Sequence, residues 1–249
     1  MRGRNGLALT VMGCLLLGAP EAQAHLKDYL VSRDFYTAKQ GEFEVTFWND
    51  MNFAEADSDD SYHSKHQVEV EYGLLDKLQL AYYEVYTWDR TKDWERDEFK
   101  IEAKGRFADA GQWPIDVALY TEYKNPDGHR DLSSDELENK VILSKEFGPI
   151  NLIGNVIFEK KLNTGDPWEF EYTAGVSYAV TPRTRLGLEV KQGLGTDDHF
   201  TADDSQPFYL VPGIYTSLTP HVRLLVGPAF GLTRASDDLQ LKSVVEIEF

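Results

Sequence analysis

Beyond residue 39 the chain repeats one pattern, about ten residues of alternating apolar and polar side chains followed by a turn. Alternation with a period of two puts successive side chains on opposite faces of an extended strand, so each repeat predicts a β-strand with one greasy and one polar face. Phe43, Val45 and Phe47 alternate with Glu42, Glu44 and Thr46, and Val68, Val70 and Tyr72 with Gln67, Glu69 and Glu71. Further segments centre on 78–86, 99–107, 115–123, 137–145, 150–158, 170–178, 185–191, 208–218, 222–232 and 239–249, twelve in all. In the third, Tyr82, Tyr83 and Val85 lie so close together that the phase reads either way.

The connections fall into two classes that take turns. Short ones at 73–77, 108–114, 147–149, 180–184 and 218–221 carry the Gly, Pro, Asp or Thr that tight turns need. Long ones lie between them at 49–65, 89–97, 124–135, 161–167, 195–207 and 234–238. Strict alternation predicts an all-β, up-and-down antiparallel meander that closes into a barrel, with turns on one rim and loops on the other. A two-sheet sandwich gives no reason for it. Aromatic residues gather at the segment ends: Trp48, Trp88, Tyr123, Phe158, Trp168 and Phe230 beside the long loops, and Tyr72, Phe107, Trp113, Phe147 and Tyr178 beside the short turns. Two such belts match the two interfaces of a membrane.

Charge and the N-terminus narrow the picture. With 42 acids against 25 bases the formal charge is -17, which repels phosphate backbones, so nucleic acid is not an expected partner. Past residue 24 no apolar run is long enough for a transmembrane helix. Arg2 and Arg4, the apolar run 7–18 and the Ala22-Gln23-Ala24 cleavage pattern mark 1–24 as a secretory signal peptide. Cleavage there removes Cys14, the only thiol, so no disulfide is expected. Residues 25–39 are expected as a periplasmic N-terminal segment, either a free tail or a plug folded into the lumen, and 40–249 as the barrel.

The chain ends on Leu239, Leu241, Val245, Ile247 and Phe249. With the alternating segments and the export signal, this strand resembles the signal by which the barrel-assembly machinery recognises Gram-negative outer-membrane β-barrel proteins, with Phe249 as its last residue. The resemblance implies a transmembrane barrel of about twelve strands with both termini in the periplasm. It also implies outer-membrane lipid and the assembly machinery as partners. Barrels of this size include oligosaccharide and nucleoside channels and a phospholipase, so the fold leaves the function open.

If the apolar faces meet lipid, the polar faces line the lumen. The inward acids are then Glu42, Glu44, Glu69, Glu71, Glu102, Asp116, Glu122, Glu138, Glu159, Glu169, Glu171, Glu189, Glu246 and Glu248. The inward bases are Lys100, Lys104, Arg106, Lys124, Lys140, Lys191, Arg223 and Lys242. An acidic excess points to a passive channel or transporter for small solutes that favours cations, with no cofactor. The alternative is a largely closed barrel whose surface loops bind ions or partners. Asp57, Asp59 and Asp60 with His63 and His66 offer oxygen and imidazole ligands for a divalent metal, although in a strand the two histidines face opposite sides. An enzyme is not expected. His129 with Ser133 or Ser134 has no strand to fix its geometry, and the phospholipase's His-x-Ser strand motif is not found.

Overall fold

The computed structural model describes residues 29–53, 63–89, 94–126, 134–162 and 165–249. The twelve segments are twelve strands: β1 (Phe43–Phe53), β2 (His63–Leu75), β3 (Leu78–Asp89), β4 (Glu95–Arg106), β5 (Asp116–Pro126), β6 (Glu136–Phe147), β7 (Ile150–Lys161), β8 (Trp168–Thr181), β9 (Thr184–Thr196), β10 (Phe208–Thr219), β11 (Val222–Gly231) and β12 (Leu239–Glu248). Each pairs with its neighbours in the chain, and β1 closes antiparallel on β12 from Glu44 opposite Glu248 to Phe53 opposite Leu239. Closure leaves no sheet edge. Several strands run further toward the long-loop end than alternation indicates. There polar residues such as Asn49, Asp50 and Asn52 in β1 and His63 to Gln67 in β2 interrupt the alternation, yet the ladder continues.

Burial assigns the faces. Phe43, Phe47, Val68, Tyr72, Leu80, Tyr82, Ile101, Leu119, Val156, Leu188, Ile214 and Leu241 are exposed, while the residues alternating with them are buried or half-buried. In a closed cylinder the exposed set faces outward and the buried set inward. The phase of β3 is thereby fixed: Leu80 and Tyr82 point out, and Ala81, Tyr83 and Val85 point in. Trp48 corrects the belt reading. It shares the inward parity of Glu44 and Thr46, and its indole Nε1 donates to Glu69 Oε2 at 2.6 Å.

The inner face is not uniformly polar. Ala118, Tyr120, Ile142, Ile153, Tyr209, Val211, Tyr215, Leu225, Ala229 and Val244 form an apolar cluster there, and what they pack against is Tyr29, Leu30 and Phe35. Of the two courses open to the N-terminal segment, its described part takes the one through the lumen. Burying these side chains against the wall contributes about 1.5–3 kcal/mol for each large apolar residue.

Two glycines make room for the segment. A Cβ on Gly73 would lie 1.8 Å from the Lys39 carbonyl oxygen, and one on Gly227 would lie 2.2 Å from the Pro212 carbonyl and 2.7 Å from Leu30 Cδ1. Gly73 also donates to the Glu42 carbonyl at 3.0 Å and accepts from Gly41 N–H at 2.8 Å, so the backbone cannot withdraw cheaply. Gly73→Ala is therefore expected to displace residues 38–42. Limited trypsinolysis of the folded barrel should cut after Lys39 several-fold faster than in the parent protein, and equal rates would show that the close approach is not needed.

Candidate functional site

A length of chain without ladder partners still has to satisfy its N–H and C=O groups, and inside a barrel the wall's side chains and water are the partners at hand. Residues 29–39 form an arch held in this way. From the short-turn rim, Lys39 Nζ pairs with Glu42 at 3.1 Å, and the Ala38 N–H donates to Gln79 Oε1 at 2.9 Å. Arg106 Nε donates to Thr37 Oγ1 at 2.9 Å, and Lys104 Nζ donates to Asp34 Oδ1 at 3.2 Å.

Arg33 reaches across the lumen. Its guanidinium donates to the Tyr83 hydroxyl and lies 3.5 Å from Glu69 and 3.4 Å from Glu102. The rings of Trp48, Tyr83 and Tyr120 surround it with centroids 5.1, 5.6 and 5.5 Å away. Two carboxylates and three π faces together offset the desolvation of one buried cation.

The other limb binds through its backbone. Glu189, which is buried, accepts from the N–H groups of Leu30 at 2.7 Å, Val31 at 3.0 Å and Ser32 at 2.8 Å, and from the Tyr215 hydroxyl at 2.8 Å. Asn155 pairs with Arg33 in both directions, accepting from its N–H at 2.6 Å and donating to its C=O at 3.0 Å. The Tyr29 hydroxyl donates to Asn151 Oδ1 at 2.5 Å.

On the long-loop side the arch floors a two-lobed vestibule. One lobe, of about 560 Å³, is lined by Leu30 to Arg33 and by wall residues that include Trp48, Lys65, Lys100, Tyr120, Lys140, Tyr209 and Lys242. The second, of about 530 Å³, includes Lys124, Glu159, Glu169 and Gln206, and shares Glu138, Glu171, Lys191 and Pro207 with the first. Charges of both signs interleave around the wall. Lys100 lies 3.7 Å from Glu122, Lys124 2.8 Å and Lys140 2.7 Å from Glu138, Lys191 3.0 Å from Glu171, and Lys242 2.9 Å from Asp50.

The sequence-derived residues therefore separate by depth. Glu44, Glu69, Glu71, Glu102, Lys104, Asp116, Glu122, Glu138, Glu189, Arg223 and Glu246 are buried on the inner face. Lys100, Lys140, Glu169, Glu171, Lys191 and Lys242 line the vestibule, Arg106 holds the arch, Glu42 sits at the rim beside Lys39, and Glu248 ends β12 opposite Glu44. Phe249 donates its N–H to the Phe43 carbonyl at 2.9 Å and so extends the β1–β12 seam. Reading the sequence missed Arg33, Trp48, Gln79, Tyr83, Asn151 and Asn155. The signal for the last two was present, as amides four residues apart on one face of an otherwise apolar strand.

Asp57, Asp59 and Asp60 lie outside the described residues. His63 and His66 are three apart in β2 and take opposite faces, so they do not converge, and no group of three or more metal-ligating side chains occurs among the described residues. His129 and Ser133 also lie outside the described residues. In the 197–204 loop, hydrogen bonds from the Ser205 hydroxyl and N–H hold the Asp203 carboxyl below the usual range, while Asp204 pairs with Arg234.

Closed antiparallel topology, an apolar outer band and a charged interior define a twelve-stranded β-barrel of the outer-membrane type. Solved structures of the same architecture include outer-membrane channels and porins, and an outer-membrane phospholipase as well. An outer membrane channel from Pseudomonas putida F1 superposes with a TM-score of 0.61 at 12% identity, covering 87% of this chain and 98% of the other. The KdgM porin gives 0.56 at 8% identity, covering 83% and 98%, and the NanC porin 0.52 at 10% identity, covering 83% and 97%. No protein-family model matches the chain, and no curated protein matches it either.

Proposed function

We propose that the protein is an outer-membrane channel for small polar solutes whose path is closed by its own N-terminal arch. Solute enters a vestibule of mixed charge from the outer surface, and the short turns and both chain termini lie in the periplasm. The observation that carries this reading is the mode of attachment: the arch is held by side-chain contacts and one apolar cluster, whereas the wall is held by continuous ladders. Elements with fewer backbone ties open first.

The carboxylate excess lies at the level of the arch, where Arg33 neutralises Glu69 and Glu102 and the peptide N–H groups occupy Glu189. Moving the arch aside uncovers these carboxylates, so the open path favours cations. The test is conductance in planar bilayers under a salt gradient. The full protein is expected to pass little current. A chain lacking residues 29–38 should pass several-fold more, with a reversal potential on the cation side. Unchanged conductance on deletion, or anion preference in the open pore, would refute the proposal.

A further inference from the structure

The outer face of β1 and β2 carries a polar group where apolar residues are the rule. Phe47, Val68, Val70 and Tyr72 follow the lipid-facing parity, and toward the long-loop end the same parity brings Asn49, Ser64 and His66 to that face. The register sets His66 directly opposite Asn49, and places Ser64 opposite Met51 on β1 and Trp88 on β3. His66 Nδ1 lies 2.9 Å from Asn49 Oδ1, and His66 Nε2 lies 3.0 Å from Ser64 Oγ. The amide oxygen of Asn49 only accepts, so Nδ1 carries the ring proton, and the free lone pair on Nε2 accepts the Ser64 hydroxyl proton. A hydroxyl, a base and a group that fixes the base's tautomer stand in line within hydrogen-bond reach.

We propose that Ser64, His66 and Asn49 form a nucleophile, base and orienting group that hydrolyse carboxylic esters of amphipathic lipids from the membrane side of the barrel. The lumen plays no part in it. The ester class follows from position, because an outward site at the edge of the apolar band meets acyl chains and head groups. On the same outward row, beyond Tyr86, Arg96 is ion-paired with Glu84 at 2.7 Å, which puts a polar contact beside the band. Trp94, 60% exposed and ahead of β4, lies against the His66 ring with centroids 4.7 Å apart. Ser64 is only 2% exposed, so substrate reaches it once a neighbouring side chain swings away.

In the first step Ser64 Oγ bonds to the ester carbonyl carbon while its proton passes to His66 Nε2. The tetrahedral adduct collapses, the carbon–oxygen bond to the alcohol breaks, and His66 returns the proton to the departing alkoxide. Water then attacks the acyl-serine carbonyl and gives one proton to His66. The bond to Ser64 Oγ breaks, that proton returns to Oγ, and a fatty acid leaves. The backbone amides of β2 are engaged in ladders on both sides, so they are not spare donors for the oxyanion. Turnover is accordingly expected to be slow, and covalent trapping is the primary readout.

The test treats the full folded protein in detergent micelles with a fluorophosphonate probe and maps the modified residue by peptide mass spectrometry, with release of p-nitrophenol from a short-chain ester as a second readout. Folding of each variant is verified by the heat-dependent gel shift of a closed barrel. Labelling is expected at Ser64. It should fall at least tenfold in His66→Ala and by less in Asn49→Ala, and rise in Trp94→Ala. Ester release should fall in parallel, including in Ser64→Ala. Absence of probe from Ser64 in the folded parent protein, or labelling that His66→Ala leaves unchanged, would overturn the proposal.

Discussion

Arg33→Ala is expected to release the arch and raise bilayer conductance several-fold, without unfolding the barrel. In the parent protein the guanidinium stands between Glu69 and Glu102, both almost completely buried, and beneath the rings of Trp48, Tyr83 and Tyr120. Truncation leaves two buried carboxylates with their shared cation gone. Breaking a buried pair from one side costs about 3–5 kcal/mol, much of it the burden of the charge left behind. Water relieves that burden if it can enter, and it enters by displacing a segment held through side chains rather than a wall held by ladders. Arg33→Lys should rescue only in part, because an ammonium restores the charge but neither the planar fork nor the stacking on the rings. Adding Glu69→Gln and Glu102→Gln to Arg33→Ala should bring conductance back down, since neutral amides tolerate the loss of the cation. If Arg33→Ala conducts no more than the parent protein, the arch is not held by this contact.

Glu189→Ala attacks the other limb and should have the second large effect. One carboxylate satisfies three consecutive peptide N–H groups and a tyrosine hydroxyl. Each buried donor left without an acceptor costs about 1–3 kcal/mol, so losing the carboxylate disfavours the closed arch by several kcal/mol unless water substitutes. Hydrogen exchange reports this directly: the amides of Leu30, Val31 and Ser32 should lose protection a hundredfold or more, while the β1–β12 seam keeps its protection. Glu189→Gln is expected to be intermediate, because its amide keeps one accepting oxygen but turns an NH2 toward groups that also donate. Unchanged protection at all three amides would show that other contacts hold the limb.

The wall was legible in the sequence because its physics is local. A period of two, a turn and a second period of two recur wherever one face meets lipid and the other does not, as where Phe43, Val45 and Phe47 alternate with Glu44 and Thr46; Trp48, an aromatic on the polar parity, is where that reading fails. The phase of β3 was not legible, since its inward residues Ala81, Tyr83 and Val85 are as apolar as its outward ones. The reason lies outside the strand, in the arch and the cluster that fill the lumen. Those contacts join residues far apart in the chain, Leu30 to Glu189 and Arg33 to Tyr83, and residues 29–39 carry no periodicity that announces a partner. The outward trio was hidden differently. Ser64 and His66 occur in the order opposite to the His-x-Ser strand motif, and Asn49 reaches them only through a register that no spacing in the sequence discloses.

The vestibule was half legible. Alternation supplied Lys100, Glu122, Lys140 and Lys191, yet their mutual pairing depends on which strand lies beside which, and it changes a simple acidic tube into a lining with both signs. The surplus of acids survives deeper, at the arch.

The join between the first and last strands is paired without interruption from Glu44 to Phe53. Such a hoop has no slit through which cargo could slip sideways into the bilayer. Whatever crosses must travel end to end, past residues 29–38, and a greasy compound bound for the membrane would find its way only around the outside.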